Sequence, residues 1–319
     1  MTFQNRSKSV GLIEIGSKSV RYMVATFDQA GAFRIDPRAK DSFVHDIDVD
    51  NPDETKVAKL WSKVEEFNEA LAKIRCDQVL IYGTELCRRL EKRGQRPPSF
   101  VSVFSGEQEA VGAWAAGFMS AQYRSSGRYT IVDQGGGSTE IVSAMWTGRT
   151  IAGGHSHESL DDLGSAKMAA LYARNSDKFS TFVRPLLEKY DAKIKLHEAN
   201  GKTELVLLGT AATKLAFNIK HKRNDEDDYR PHDTDKTRLS IKEIADYYFK
   251  MDSIYKKDPE RARYMLDRRA VTTNHYEEVM SGAIILMLIS IRLGHQQVTV
   301  SVNSTRYGMG FLVALGLIR

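Results

Sequence analysis

Apolar residues follow two recurring patterns along this chain. Short apolar runs that end in Gly, Ser or an acidic residue predict buried strands. Between these runs, apolar residues three and four positions apart predict amphipathic helices. For the helix that carries Val57, Leu60 and Val64, we expect Asn51 as the N-cap and Pro52 as the first residue. Alternating strands and helices are typical of an α/β fold. Four of the apolar runs predict strands at Val79 to Tyr82, Phe100 to Phe104, Leu205 to Leu208 and Val298 to Val302.

The chain contains one internal repeat. Residues 10–24 match residues 129–143 when one is shifted by 119 positions onto the other. Each copy is an apolar strand that ends in an acid, a turn of Gly and Ser, and a second strand, so each predicts a hairpin with an acid at its mouth. Two copies predict two related lobes. The aligned pairs are Glu14 with Asp133, Gly16 with Gly135, Lys18 with Gly137, Ser19 with Ser138, and Arg21 with Glu140.

Such a turn is suited to binding phosphate. Successive Gly residues let the backbone approach a ligand and turn its N–H groups inward, while Ser hydroxyls add donors. A carboxylate at the strand end beside a phosphate can hold Mg²⁺ directly or through water. For a single copy, an ordinary hairpin with a solvated acid is the better interpretation. Two copies with matching acids favour a ligand site.

Three further segments carry candidate chemistry. A strand runs into Gly209 and Thr210 and then into a helix, which indicates an anion site, although this pattern alone is a weak signal. Arg88 lies one turn into another predicted helix and could face an anion. Glu109 lies in the first turn of a third helix, where an isolated glutamate usually serves the helix dipole. His155 and His157 lack a third convincing ligand, so we reject a transition-metal site there.

Composition indicates an ordinary globular chain. At 319 residues two domains are expected, and 42% hydrophobic with 27% charged residues argues against disorder. The 46 Lys and Arg exceed the 41 Asp and Glu by 5, which permits an anionic partner. Val279 to Ile291 is uncharged but shorter than the roughly 18 residues that cross a bilayer. The N-terminus has no signal-peptide pattern, and two cysteines form no disulfide framework, so we expect a cytoplasmic protein without a membrane partner.

These residues together resemble the exopolyphosphatase and guanosine pentaphosphate phosphatase (Ppx/GppA) family. The resemblance spans nearly the whole chain, and its most specific part combines the block Gly135 to Glu140 with Ser105, Gly106 and Glu109. The matching segments are Glu14 to Ser19, Gly83 to Arg88, Ser105 to Ala110, Asp133 to Glu140, Leu208 to Thr213 and Ser301 to Gly308.

The resemblance implies a fold and a reaction. The fold is α/β, with two ribonuclease-H-like (actin-like ATPase) domains of mixed five-stranded sheets flanked by helices, and an active site in the interdomain cleft. The domains would be residues 1–121, with the C-terminal helix 306–319 packing back on them, and residues 122–305. The reaction would hydrolyse the terminal phosphoanhydride of polyphosphate or guanosine pentaphosphate with Mg²⁺ or another divalent cation. Neither nucleic acid nor a membrane is implied as a partner, and a homodimer stays open.

The resemblance also implies roles for residues. Glu109 would orient and deprotonate the attacking water, and Arg88 would hold the terminal phosphate. Asp133 and Glu140 are associated with the metal and the water, and Glu14 with the metal. The implied phosphate loops are Gly16, Ser17, Lys18 and Ser19; Gly135, Gly136, Gly137 and Ser138; and Gly209 with Thr210.

Several departures from the family pattern lie among these motifs. Glu14 and Lys18 stand where the family usually has Asp and Asn, and Lys18 could replace part of the metal's charge or neutralise Glu14. Further departures are Gln108, Gln134, Val302 and Tyr307. The alternative is therefore a catalytically degenerate member that binds polyphosphate or a guanine nucleotide as a sensor or regulator. An ATP-driven kinase or chaperone-like ATPase is disfavoured, because Ser105 and Gly106 with Glu109 are the hydrolase's feature. The sequence leaves the choice between polyphosphate, guanosine pentaphosphate and other nucleotides open.

Overall fold

The chain folds into two compact units. A computed structural model describes residues 7–16, 19–28, 32–48, 51–121, 126–147, 151–197, 203–224, 228–266 and 275–318. One unit is Met1–Ala115 with Thr305–Arg319, and the other is Ala116–Ser304. The chain passes between the units inside a helix, at Ala115, whereas the family resemblance implies a boundary after residue 121. The interpretation of the units as ribonuclease-H-like domains with that boundary stays a prediction.

The elements are numbered here in chain order. The strands are β1 (Lys8–Ile15), β2 (Ser19–Phe27), β3 (Phe33–Val44), β4 (Gln78–Gly83), β5 (Ser102–Val103), β6 (Gly127–Gln134), β7 (Thr139–Trp146), β8 (Ile151–Leu160), β9 (Thr203–Leu208), β10 (Arg238–Ser240) and β11 (Gln297–Val300). The helices are α1 (Glu54–Ala72), α2 (Glu85–Lys92), α3 (Gly106–Ser120), α4 (Ser165–Asn175), α5 (Phe179–Lys189), α6 (Asp191–Lys195), α7 (Thr210–Ala216), α8 (Ile241–Lys257), α9 (Pro259–Leu266), α10 (His275–Arg292) and α11 (Thr305–Leu315).

The first unit is built on a five-stranded mixed sheet in the order β3-β2-β1-β4-β5. Strands β1, β2 and β3 are antiparallel neighbours, while β4 and β5 run parallel to β1. Helix α11 packs closely on this sheet, because a Cβ at Gly310 would lie 2.8 Å from Leu12 and 2.5 Å from Phe27.

Helix α1 buries its predicted apolar face, but its N-cap is Asp53 rather than Asn51. The Asp53 carboxylate accepts hydrogen bonds from the first-turn N–H groups of Thr55 and Lys56.

The second unit repeats this arrangement with one addition. Its order is β10-β11-β9-β6-β7-β8, so the sheet has six strands rather than the predicted five. The extra strand β10 pairs antiparallel with β11 at the edge. The sequence pattern predicts no strand at these residues. Leu239 is nevertheless buried, and Ser240 with Glu243 forms a capping box that starts α8 immediately afterwards. The α/β fold class with two mixed sheets is confirmed.

The predicted repeat is a repeat of structure. In the first hairpin Glu14 pairs with Arg21, and in the second Asp133 pairs with Glu140, as the shift of 119 positions requires. Both turns close with the same backbone bond, from Gly16 N to Ser19 O at 2.9 Å and from Gly135 N to Ser138 O at 3.0 Å. Among the described residues, none forms a helix that is both long and apolar enough to cross a bilayer.

Candidate functional site

The acid of the first hairpin is held by two neighbours. Tyr82 donates its hydroxyl to Glu14 Oε1 at 3.2 Å, and Arg306 Nη1 lies 3.5 Å from Glu14 Oε2. Tyr82 is fully buried at the end of β4, and burial raises the pKa of its hydroxyl well above the usual value. Both oxygens of Glu14 therefore have a partner within this unit.

The turn after Glu14 is fixed from outside the hairpin. His45, which follows β3, donates from Nε2 to the carbonyl of Gly16 at 3.0 Å. Burial lowers the pKa of His45, so the ring is neutral near pH 7 and suited to this bond. Ser19 begins β2, whereas Ser17 and Lys18 lie outside the described residues.

Arg88 and Glu109 are brought together by two helices that start at the ends of neighbouring strands. Arg88 Nη1 lies 2.5 Å from Glu109 Oε2 and also donates to the carbonyl of Phe104. On its other side, Nε and Nη2 of Arg88 both donate to Glu85 Oε2, at 3.2 and 2.9 Å. Within the described residues, four of the five N–H groups of this guanidinium have protein partners, which leaves one on Nη2 to bind an anion.

Glu109 has the protonation behaviour expected of a base. Burial raises the pKa of its carboxyl, the hydrogen bond and charge of Arg88 oppose the rise, and the charge of Glu14 adds to it. The net effect is a pKa above the ordinary value of 4.5. A carboxylate with a raised pKa accepts a proton from water more readily than an ordinary carboxylate. The first unit therefore brings the predicted residues Glu14, Arg88 and Glu109 into one electrostatically coupled group.

In the second hairpin, Glu140 is held by three donors. Its Oε1 accepts from Ser138 Oγ at 2.9 Å and from Ser159 Oγ at 2.8 Å. Its Oε2 accepts from His157 Nε2 at 2.6 Å. Asp133 lies opposite Glu140 in the β6–β7 pairing, at the end of β6. The second unit thus places Asp133, Glu140 and Ser138 around the mouth of one hairpin.

The glycine turn of this hairpin lies against the start of α4. The N–H groups of Ser165 and Lys167 donate to the carbonyls of Gly135 and Gly136, at 3.0 and 3.2 Å. A Cβ at Gly164 would lie 2.2 Å from the backbone of Gly137, so only glycine fits there. In the part of the chain that the structure describes, no backbone acceptor binds the N–H groups at positions 136 to 138. With the carbonyls of Gly135 and Gly136 bonded to α4, the exposed turn presents N–H donors, as an anion-binding turn must.

The third predicted loop also contacts this hairpin. Gly209 has φ +103°, and a Cβ there would lie 2.3 Å from the carbonyl oxygen of Gln134. Thr210, the first residue of α7, is exposed. The predicted second-unit loops, 135–138 and 209–210, are therefore neighbours, and Gly209 makes their close approach possible.

Whether a metal ion fits these residues depends on which side chains could bind it. Among the described residues, no three His, Cys, Asp or Glu side chains cluster closely enough to hold an ion. Glu14 and Glu140 already accept hydrogen bonds or an ion pair on both oxygens. These residues fit a Mg²⁺ ion that takes most of its ligands from phosphate and water, which is the usual manner of this cation. They do not form an all-protein cage.

A cavity of about 400 Å³ lies beside the first hairpin. Arg21, Lys40 and Arg306 line it together with Asp41 and Tyr307, so cations outnumber acids. Its walls come from β2, β3 and α11, which are distant along the chain, so no sequence motif marks this cavity. It would accept an anionic group.

The structure also adds residues around those predicted. Tyr82 holds Glu14, Glu85 holds Arg88, and His157 with Ser159 holds Glu140. The alternation of His155, His157 and Ser159 was the available signal, because residues two apart in a strand share a face. The expectation that the two units meet at one active-site cleft stays a prediction.

Comparison with known proteins identifies the family. A model of the Ppx/GppA phosphatase family matches residues 42–314. No curated protein matches the chain. A solved Ppx/GppA family member from Aquifex aeolicus is 21% identical, with a TM-score of 0.74 and coverage of 98% of this chain and 100% of that one. An exopolyphosphatase from Cytophaga hutchinsonii is 15% identical, with a TM-score of 0.63 and coverage of 97% and 98%.

The two kinds of comparison support different conclusions. At such identities the solved structures show a shared fold and no more. The family match covers well over half of the residues and agrees with the resemblance found from the sequence motifs. The chain therefore belongs to the Ppx/GppA phosphatase family.

Proposed function

We propose that this protein hydrolyses the terminal phosphoanhydride of a polyphosphorylated anion, either inorganic polyphosphate or guanosine pentaphosphate. The observation that carries the proposal is the contact between Arg88 and Glu109. A guanidinium with an N–H group left for phosphate touches a carboxylate whose pKa is raised toward that of an effective base. This pairing joins the two requirements of phosphoryl transfer to water, which are charge stabilisation and an oriented nucleophile.

The reaction assigns one proton transfer to Glu109. The oxygen of a water molecule attacks the terminal phosphorus, and its proton passes to the Glu109 carboxylate. The bond from phosphorus to the bridging oxygen breaks, and its electron pair leaves with the shortened chain. Arg88 holds the terminal phosphate and Glu109 together, so the base and the reacting group are positioned by one side chain. In the second unit, the turn Gly135 to Ser138 would supply N–H groups to phosphate oxygens, as the family resemblance implies.

Mg²⁺ or another divalent cation is proposed to arrive with the phosphate. Asp133, which lies two residues before the glycine turn, is the side chain that we assign to hold it. The bound ion would withdraw charge from the phosphate oxygens. Glu14 and Glu140, whose oxygens already have protein partners, would contribute through their charge and through the groups that they hold.

A parallel assay tests the proposal. The purified chain is incubated with Mg²⁺ and polyphosphate, guanosine pentaphosphate or ATP, and released phosphate is measured. Glu109→Gln should lower the rate by about 10²- to 10⁴-fold, the usual contribution of a general base. Glu107→Gln, an exposed change in the same helical turn, is the control and should leave the rate unchanged. Equal rates for Glu109→Gln and the unmodified chain would refute the role of Glu109.

A second candidate, a binding member without turnover, is favoured by one observation. Arg306 and Tyr82 engage Glu14, so the first hairpin offers a neutralised carboxylate. Binding of all three anions with no phosphate released from any would support this candidate. The cationic cavity beside Arg306 suits either substrate, because both carry charge beyond the terminal phosphate. The relative rates on polyphosphate and guanosine pentaphosphate decide between them.

A further inference from the structure

One histidine lies beside the second hairpin without a part in the proposed reaction. His157 Nε2 lies 2.6 Å from Glu140 Oε2, and its side chain is 18% exposed. It belongs to β8, whose residue Ser159 pairs directly with Glu140 on β7. We infer that His157 is a positioning residue: it fixes Glu140 and, through Glu140, holds the glycine turn Gly135 to Ser138 ready for phosphate. This inference rests on the proposed function for the identity of the ligand.

His157 is the donor to Glu140 that has no competing acceptor in the described chain. Ser159 Oγ lies 2.8 Å from Glu140 but also 2.5 Å from Asp161 Oδ1. A hydroxyl carries a single proton, so Ser159 cannot serve both carboxylates at once. Ser138 belongs to the turn itself, so its hydroxyl cannot anchor Glu140 from outside the turn. The anchor of the Glu140 carboxylate on β8 is therefore His157.

The orientation of Glu140 matters because its charge lies beside an anion-binding turn. The carbonyls of Gly135 and Gly136 are bonded to α4, and in the described chain no backbone acceptor binds the N–H groups at positions 136 to 138, so a phosphate could bind these donors. A Glu140 side chain released from β8 could swing toward those N–H groups and compete with the phosphate for them. It would also drop its bond to Ser138 Oγ, which would leave the end of the turn less fixed. His157 prevents both effects by holding Oε2 against β8.

The test measures binding of imidodiphosphate, an analogue of pyrophosphate whose bridge resists hydrolysis. His157→Phe keeps a ring but removes the donor, and we expect its dissociation constant to rise by about tenfold, the usual effect of losing one charge-assisted bond. His157→Gln places an amide N–H near the position of Nε2 and should restore affinity to within about threefold. His155→Phe changes a ring on the same face of β8, opposite Ala144, and should bind like the unmodified chain.

A double-mutant cycle separates positioning from general damage to the fold. If His157 acts through Glu140, then adding His157→Phe to Glu140→Gln should weaken imidodiphosphate binding no further than Glu140→Gln alone. Equal affinity of His157→Phe and the unmodified chain would overturn the inference. The inference would also be overturned if His157→Phe weakened imidodiphosphate binding as much in the Glu140→Gln background as in the unmodified chain. It would likewise be overturned if His155→Phe weakened binding as much as His157→Phe does.

The same experiment keeps the two proposals apart. If the unmodified chain binds imidodiphosphate with the expected dependence on His157 but releases no phosphate from any substrate, the proposed function fails and the positioning role stands. If the chain releases phosphate while His157→Phe binds the analogue normally, the positioning role fails and the proposed function stands.

Discussion

Glu109 accepts a hydrogen bond from Arg88 at 2.5 Å, so the side chain proposed to activate water and the side chain proposed to hold phosphate are in direct contact. Both are about one-quarter exposed, which leaves the pair accessible while limiting the screening of its charges by solvent. The pairing has a cost for binding, because an incoming phosphate must share the guanidinium with Glu109. It also has a benefit, because any phosphate that binds Arg88 is placed beside the base.

The pH dependence of hydrolysis should reflect the raised pKa of Glu109. The carboxylate must be ionised to accept a proton, so the rate should fall as the pH drops through that pKa. Because burial raises it above 4.5, the acidic limb of kcat/KM should have its midpoint above pH 4.5. A profile of kcat/KM between pH 4 and 9 checks this, and the limb should be missing from the residual activity of Glu109→Gln. A midpoint at or below 4.5 would contradict the assignment.

Glu85 should influence substrate binding through Arg88. It lies on the exposed side of α2 and accepts two bonds from the guanidinium, so Glu85→Gln should loosen Arg88 without removing it. An ion pair this exposed contributes up to about 1 kcal/mol, which corresponds to a rise in KM of up to about fivefold with a smaller change in kcat. Steady-state kinetics measure both constants.

The control for this variant is Glu91→Gln, which changes an exposed acid on the same helix. It should leave KM unchanged at the same ionic strength. An equal rise in KM for Glu91→Gln would show that the net charge of α2, rather than the position of Arg88, determines the effect.

Gly164→Ala should damage the glycine turn Gly135 to Ser138. The added Cβ would lie 2.2 Å from the carbonyl carbon of Gly137 and 2.4 Å from the oxygen of Gly136, and neither backbone atom can move without the turn. Overpacking of this kind costs about 1 to 3 kcal/mol of unfolding free energy, and we expect phosphate release to fall at least tenfold. Urea unfolding and the hydrolysis assay measure these effects.

Gly106→Ala is a matched change, since a Cβ there meets no atom within 4 Å. We expect Gly106→Ala to change the unfolding free energy and the rate of phosphate release much less than Gly164→Ala does. Normal activity in Gly164→Ala would mean that the turn tolerates displacement and that its position is not critical.

Replacing Gln134 with methionine should stabilise the protein. Gln134 is 4% exposed, and neither its amide nitrogen nor its amide oxygen has a partner in the described structure. A buried polar group without a partner costs about 1 to 3 kcal/mol, and methionine has a similar length without that cost. Urea unfolding should show an increase of about 1 kcal/mol.

The exposed change Gln297→Met is the comparison and should shift the unfolding free energy by less than about 0.5 kcal/mol. A loss of stability in Gln134→Met would show that the amide makes hydrogen bonds in solution that its protein neighbours do not supply.

Much of this architecture followed from the sequence because it depends on local patterns. The two hairpins were predictable from apolar runs that end in an acid and a Gly-rich turn, and their match over 119 positions predicted two related sheets. The register that places Glu14 opposite Arg21, and Asp133 opposite Glu140, follows once a short turn joins two strands. Strand β10 escaped prediction because three residues carry too little periodicity to be distinguished from a loop.

The partners of the acids were decided only by tertiary structure. Glu14 contacts Tyr82 and Arg306, which are 68 and 292 positions away along the chain, and Glu109 meets Arg88 because two helices start at adjacent strand ends. The residue type at a position limits which bonds its side chain can make, whereas the packing of distant elements determines which of those bonds form. Local patterns along the chain are therefore enough to predict the fold class, the repeated hairpins and the set of candidate residues. Only the folded chain decided that Glu14 and Glu140 are already engaged by neighbours, because those neighbours are brought close by the sheets and not by the order of residues.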